Sequence, residues 1–317
     1  MIGTDPKVSV AIWTCDQEEF IGDAITSAVE QDYPDLEIVV ADDASRDATP
    51  RIVSEFSRRF PGVVRPLLHT GARSIVANVN RALAACSGEL VAMLDGDDVF
   101  LAGKVRAQVE AFAQNPDVVL CRHPVEAFRG AADSAAIRTL DFNPDQTRST
   151  AADLVAKGNF VAPGSSMMRR EAIPVAGVPQ VVQHAPDWLL AIETARRGTT
   201  LRLPQVLARY RLHPGQITSV RSKSDVVFRD AMRTLAYVEH RYPELAYCCP
   251  SGRRVITKWE AHRRLAGSRD YRWITTGIRA ALRRDPTALM LWRVLLTTSA
   301  RRLANRAGTE LPIHGER

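Results

Sequence analysis

The stretch "ELVAMLDGDDVF" (residues 89–100) opens, after its glutamate, on five apolar residues and closes on three carboxylates, Asp95, Asp97 and Asp98. A short apolar run ended by Asp and Gly reads as a strand buried on both faces. Three carboxylates within four residues repel one another unless something positive sits among them. Working outward, "VSVAIWT" (8–14), "LEIVVADD" (36–43) and "VVRPLLH" (63–69) read as further buried strands, with Pro66 favouring an edge position for the last. Between them, "DQEEFIGDAITSAVEQ" (16–31) carries Phe20, Ala24, Ala28 and Ile21, Ile25, Val29 as one apolar stripe at helical spacing. "SRDATPRIVSEFSRRF" (45–60) reads as a helix with Ser45 or Asp47 as its cap and Pro50 in its first turn, and "SIVANVNRALAAC" (74–86) reads as a third. This alternation predicts an α/β fold: a mostly parallel sheet covered by helices on both faces.

In such sheets ligands bind beyond the carboxyl ends of the strands. Two of these strands end in acid, at Asp42-Asp43 and at the Asp95 cluster. Helix capping explains one aspartate at each place but not five, whose mutual repulsion calls for a counterion. Hard oxygen donors select Mn²⁺ or Mg²⁺ over zinc, and no His/Cys cluster of zinc spacing competes.

The remaining composition narrows the class. With 317 residues, 45% apolar and 25% charged, the chain is an ordinary globular one of one large or two smaller domains. Five cysteines without CxxC spacing suit a reducing compartment. The N-terminus lacks the pattern of a signal peptide, and no apolar run approaches the roughly 18 residues of a spanning helix. A cytoplasmic location is the expectation. The net charge of +6 divides unevenly, −5 over residues 1–220 and +11 over residues 221–317. A basic tail of this kind suits nucleic acid, an anionic membrane or an acidic partner, or else is simply a solvated helical surface.

Four stretches, in order, carry a family resemblance. "VSVAIWTCDQEEFIGDAITSAVEQDYPDLEIVVADDASRDAT", "GELVAMLDGDDVF", "APDWLLAIETARRG" and "LARYRLHPGQIT" resemble the motifs of glycosyltransferase family two, inverting enzymes of the GT-A fold. The resemblance covers roughly residues 7–220. It implies a GT-A domain over 1–220, with a nucleotide-sugar-binding half (1–100) and an acceptor-binding half (101–220), followed by a basic helical extension (221–317).

What the resemblance implies for chemistry is specific. The donor is a nucleotide sugar, with UDP implied because Asp43 can accept the imide N–H of uracil; Trp13 and Thr14 flank the base, although Trp13 also reads as a core aromatic. Mn²⁺ or Mg²⁺ sits at Asp97 and Asp98, Asp98 as the direct ligand and Asp97 near ribose and metal, with Asp95 orienting both. His213 joins the metal shell or holds the diphosphate, and Arg211 holds the diphosphate. Asp187 is the base that deprotonates the acceptor, against the bland reading of a helix cap. Gly164, Ser165 and Ser166 line the acceptor pocket or form a structural turn; Trp188 packs under an acceptor sugar or fills the core.

The implied acceptor is a hydroxyl of a glycan or glycolipid, in bacterial surface polysaccharide synthesis. The sequence departs from the family pattern at Val79-Asn80, where an Arg commonly precedes the Asn and where Arg73 or Arg81 is the candidate substitute. It departs also at Asp16, where Asn is commoner, and at Pro186-Asp187, which lacks the preceding acid. The helix-like "PTALMLWRVLLTTSARRLANR" (286–306) suits peripheral contact with the inner face of a membrane, packing on the catalytic domain, or a homodimer contact. Rival readings are a sugar-phosphate nucleotidyltransferase, which wants a Gly-rich basic loop after the first strand, and a binding module of the same fold without catalysis. A polymerase needs a larger chain, and no nucleic-acid partner is expected; a dehydrogenase wants GxGxxG.

Overall fold

The computed structural model of the protein describes residues 5–216 and 221–267. Strands and helices alternate through β1 (Val8–Thr14), α1 (Ile21–Val29), β2 (Leu36–Asp42), α2 (Thr49–Arg59), β3 (Val64–Leu68), α3 (Ile75–Ala85) and β4 (Leu90–Asp95). Next come β5 (Val99–Phe100), α4 (Lys104–Gln114), β6 (Val118–Arg122), β7 (Val125–Phe128), β8 (Arg138–Leu140) and β9 (Arg148–Ser149). Then follow α5 (Ala151–Lys157), β10 (Met167–Arg169), α6 (Asp187–Ala195), β11 (Thr199–Arg202) and β12 (Ala208–Arg211). Among the described residues the last elements are α7 (Arg221–Arg241), α8 (Pro243–Ala246) and α9 (Cys249–Gly267). The expected tail segment 286–306 lies outside the described residues.

Among the described residues the main sheet has eight strands in the order β3-β2-β1-β4-β10-β6-β11-β9. The pairs β1–β2, β1–β4 and β2–β3 are parallel, as the alternation predicts, and β3 with its Pro66 is the edge. Side chains alternate between two apolar layers, the period of a strand buried on both faces. Ala11, Val39, Ala41, Val91 and Met93 face α3, α5 and α6, whereas Val10, Ile12, Val40, Ala92 and Leu94 face α1 and α4. Beyond β4 the sheet turns mixed: β10 runs antiparallel between β4 and β6.

Two helix starts differ in detail from expectation. α1 begins at Ile21 because Gln17 closes a turn first, its carbonyl accepting from the N–H groups of Phe20 and Ile21. α2 begins at Thr49 behind Ala48, without a capping side chain on that residue. Ser45 bonds back to Asp42, and Asp47 accepts from the Thr49 N–H at 3.0 Å and from Glu18.

A second, four-stranded sheet, β5-β12-β7-β8, places the site. β5 directly follows the aspartate cluster and pairs antiparallel with β12, Val99 opposite Arg209. Following that register two residues outward sets Arg211 beside Asp97. The helices α7–α9 do not form a separate core: Leu235, Val238, Tyr242, Leu245 and Ile256 share one apolar cluster with α3, α5 and α6. Gly252 permits this contact, since a side chain there would collide with the Val155 carbonyl of α5. Among the described residues no helix is long and apolar enough to cross a membrane.

Candidate active site

The carboxyl ends of β1, β2 and β4 meet in one crevice. Register pairs Trp13 with Asp95 and Thr14 with Asp42. The Trp13 indole N–H donates to Asp95 Oδ1 at 2.5 Å. A tight turn follows, Asp98 N–H to the Asp95 carbonyl at 3.1 Å. Its Gly96 admits no side chain, since a Cβ would stand 2.9 Å from Thr14.

That turn sends Asp97 and Asp98 different ways. Asp97 Oδ2 lies 2.9 Å from His213 Nε2, and both side chains keep some exposure, 13% and 17%. The His213 ring also packs on Phe20, centroids 4.6 Å apart. Asp98, expected as the direct metal ligand, lies beneath and is 3% exposed. Its Oδ1 accepts from the Arg211 backbone N–H at 2.9 Å, and its Oδ2 faces Gly164, where a Cβ would stand 3.5 Å away.

Arg211, expected at the diphosphate, is buried and fully engaged. Its Nε donates to the Asp97 carbonyl at 2.8 Å, one amino group to the Gly130 carbonyl, and the other to Asp23 Oδ2 at 2.8 Å. Phe20 and Phe128 lie against the guanidinium at 4.9 and 4.6 Å. It is a strut that ties α1, β12 and the aspartate turn together.

The cluster's electrostatics follow from this crowding. Burial, then the charges of Asp97 and Asp187, pushes the Asp95 carboxyl up to about 8, against the Trp13 hydrogen bond. Burial, then Asp97 and Asp95, holds Asp98 well above the usual range. Without a counterion this crowding favours the protonated form of both carboxyls, and a nearby divalent cation would favour the ionised form. Among the described residues no group of three or more carboxylate, imidazole or thiol side chains is placed to hold a metal ion. Mg²⁺ and similar ions characteristically take one or two carboxylates and complete their shell with substrate phosphates and water. The accessible Asp97–His213 pair with acid behind it fits that mode.

On the nucleoside side, Asp43 is buried. Its Oδ2 accepts from the Ser74 N–H at 2.8 Å, and Arg81 reaches its Oδ1 at 3.2 Å. Thr14 donates to Gln17 Oε1 at 2.8 Å. Arg73 forks onto Asp16 at 2.6 and 2.8 Å, and that pairing holds the Asp16 carboxyl below its usual range. Both substitute arginines are thus accounted for. A cleft of about 540 Å³ opens beside them, lined by Ala44, Arg46, His69 and Arg73 among others; no carboxylate of the Asp95 cluster lines it.

On the opposite side Asp187 opens α6. The helix has Pro186 at its cap and no capping side chain there. The Asp187 carboxylate accepts from Asn159 Nδ2 at 2.6 Å. Burial raises its pKa, the Asn159 bond opposes this, and Asp230 adds to the rise. The Asp187 charge in turn is one of the causes that raise Asp95. Trp188 is in the core, its indole N–H on the Leu154 carbonyl at 3.0 Å. Ser165 is buried with its hydroxyl on the Ala162 carbonyl, and Ser166 closes the same turn on Pro163. Asn159, Asp23 and the strut role of Arg211 were not read from sequence; long-range pairing places them, and no local motif marks them.

Comparison with known proteins follows the same lines. A sequence profile of the family described as "Glycosyl transferase family 2" matches residues 9–175, just over half of the chain. An uncharacterized protein of Mycobacterium tuberculosis is 33% identical over 216 residues, 65% of this chain and 59% of that protein. The chain therefore spans about three fifths of that relative's length. A Campylobacter jejuni enzyme named GalNAc(5)-diNAcBac-PP-undecaprenol beta-1,3-glucosyltransferase is 36% identical over 98 residues, 31% of this chain and 32% of that one. Among solved structures, S. aureus TarS 1–349 in complex with UDP superposes with a TM-score of 0.61 at 16% identity, covering 98% of this chain and 95% of that one. The Pyrobaculum calidifontis mannosyltransferase PcManGT, solved with GDP-Man and Mn²⁺, gives 0.57 at 19% identity, covering 96% and 90%. At these identities the superpositions establish the GT-A fold.

Proposed function

The chain belongs to glycosyl transferase family 2, and on that premise we propose that it transfers a sugar from a nucleotide-diphosphate donor to an acceptor hydroxyl with inversion. The observation that carries the reading is the convergence of Asp97 and His213 at a strand-end crevice, with the Asp187 charge felt at Asp95. Asp97 and His213 would hold a divalent cation, Mn²⁺ or Mg²⁺, with Asp98 and Asp95 as the neighbouring carboxyls. When bound, that ion supplies Lewis-acid and electrostatic neutralisation of the leaving diphosphate. Support for it comes from the donor set itself and from the fold neighbour solved with Mn²⁺.

The chain's own groups then do the following. Gly96 brings the turn close enough for Asp97 to face His213, and Arg211 fixes that turn from its backbone side. Trp13, Thr14 and Asp43 frame the nucleoside side, with Arg81 balancing the buried Asp43 charge. Asp187 takes the acceptor proton as the acceptor oxygen bonds to the anomeric carbon. The bond from that carbon to the phosphate oxygen breaks, and its electron pair leaves with the nucleoside diphosphate. A carboxylate with a raised pKa is the stronger base for this step. Gly164, Ser165 and Trp188 contribute by backing the acceptor side.

UDP as the nucleotide is supported by the neighbour solved with UDP. A lipid-linked glycan acceptor is supported by the Campylobacter relative, whose name specifies an undecaprenol-linked substrate. A panel of UDP, GDP and dTDP sugars, each with Mn²⁺, Mg²⁺ or chelator, tests the proposal through release of nucleoside diphosphate. One donor class turned over only with a divalent ion is the expected result. No turnover of any donor, or turnover indifferent to chelation, would overturn it.

A further inference from the structure

α7 lies beyond the residues that the family profile matches and buries one carboxylate completely, Asp230 at 0% exposure. Asp230 Oδ2 accepts from three consecutive backbone N–H groups: Gln183 at 2.8 Å, His184 at 2.6 Å and Ala185 at 3.2 Å. Its Oδ1 takes Arg233, one turn along α7, at 3.1 Å, and the His184 ring Nδ1 lies 4.0 Å from Oδ2. A carboxylate gathering three backbone donors is a strong anchor of defined geometry.

The anchored segment is the one that matters for the chemistry. The next two residues are Pro186, which caps α6, and Asp187. Asp187 is thereby fixed from two flanks: Asn159 after α5 holds its carboxylate, and Asp230 on α7 holds the backbone that leads into it. A loop that needed only to be held down could be packed with apolar residues at no charge-burial cost. Here a charge is buried instead, and it raises the proton affinity of Asp187 in the same direction as burial does. Asn159 contacts Asp187 directly, and the Asp187 charge is felt at Asp95.

We propose that Asp230 is a positioning residue for sugar transfer: it fixes residues 183–185 so that the Asp187 carboxylate points at the acceptor, and it acts only through Asp187. The proposal rests on the reading of Asp187 as the base. It is tested on the full chain with the donor found in the panel above, at saturating Mn²⁺, by release of nucleoside diphosphate with water as acceptor. The proteins compared are wild type, Asp230→Asn, Asp187→Asn and the double variant.

Asp230→Asn should lower kcat about 10- to 100-fold, the cost of a small misplacement of a catalytic group, with the donor KM nearly unchanged. The double variant should be no slower than Asp187→Asn alone, because the effect of Asp230 passes through that side chain. Wild-type kcat in Asp230→Asn, or two losses that multiply, would overturn the proposal while leaving the base reading intact. An Asp187→Asn enzyme at the wild-type rate would overturn the base reading itself and this proposal with it. Should Asp230→Asn not fold, Asp230→Glu carries the same test, since it keeps the charge but displaces the carboxylate by one methylene. Failure of both to fold would assign Asp230 to the core and overturn the proposal.

Discussion

His213 Nε2 lies 2.9 Å from Asp97 Oδ2, although 116 residues separate them in the chain. The pairing of β5 with β12 produces this meeting, because β5 follows the aspartate turn directly and β12 ends two residues before His213. Arg211 locks it by donating to the Asp97 carbonyl from one side and to Asp23 of α1 from the other.

Arg211 is therefore expected to support the site without touching substrate. Arg211→Ala should cost about 3–5 kcal/mol, the range for removing one partner from a buried charge network. Arg211→Lys keeps a charge but not the fork, so it should still lose the Mn²⁺-dependent part of UDP stabilisation. Thermal unfolding with and without UDP and Mn²⁺ checks both. An Arg211→Lys protein with the wild-type response would return Arg211 to a ligand-contacting or neutral role.

Asp187→Asn is expected to lower transfer roughly 10²–10⁴-fold, the usual cost of losing a general base. UDP affinity should stay near wild type, since the donor contacts lie on the other side of the crevice. The melting temperature should barely move, because Asn can still accept from Asn159 and no helix cap is lost. Steady-state kinetics alongside UDP titration checks this; a parallel loss of rate and UDP affinity would count against the role.

The pH response follows from Asp95. Burial and the charges of Asp97 and Asp187 push its carboxyl from 3.8 up to about 8, so the folded protein binds that proton more tightly than the unfolded chain does. The stability gained this way is fully present below the unfolded value and is lost as pH rises through about 8. Metal-free protein should thus lose melting temperature between about pH 5 and about pH 8. Mn²⁺ beside it favours the ionised Asp95 carboxyl, so it should restore more at the upper end than at the lower. Asp95→Asn should flatten the metal-free slope, and equal slopes in the two proteins would contradict the assignment.

The fold's first half was legible in the sequence because it is local. Period, turn residues and strand-end acids place β1 to β4 and their helices, and the Pro66 edge follows from one missing N–H. The site's second half was less legible because it depends on tertiary pairing. Nothing in "LARYRLHPGQIT" alone distinguishes an arginine that meets phosphate from one buried between Phe20 and Phe128. The same holds for Ser165, whose hydroxyl is taken by a carbonyl three residues back, and for Trp188, which fills the core. Asn159 and Asp230 carry no motif at all; each is defined by what the folded chain sets opposite it.

The measurement that tests the account most directly is thermal unfolding of wild type and Asp97→Asn with UDP alone, Mn²⁺ alone and both together. A diphosphate and a cation that share one site each supply charge the other needs, so their joint stabilisation should exceed the sum of the separate effects. In Asp97→Asn that excess should vanish while the ligand-free melting temperature stays close to wild type. Additive effects in wild type, or an excess that survives in Asp97→Asn, would contradict a cation held by Asp97 and His213 against the donor's diphosphate.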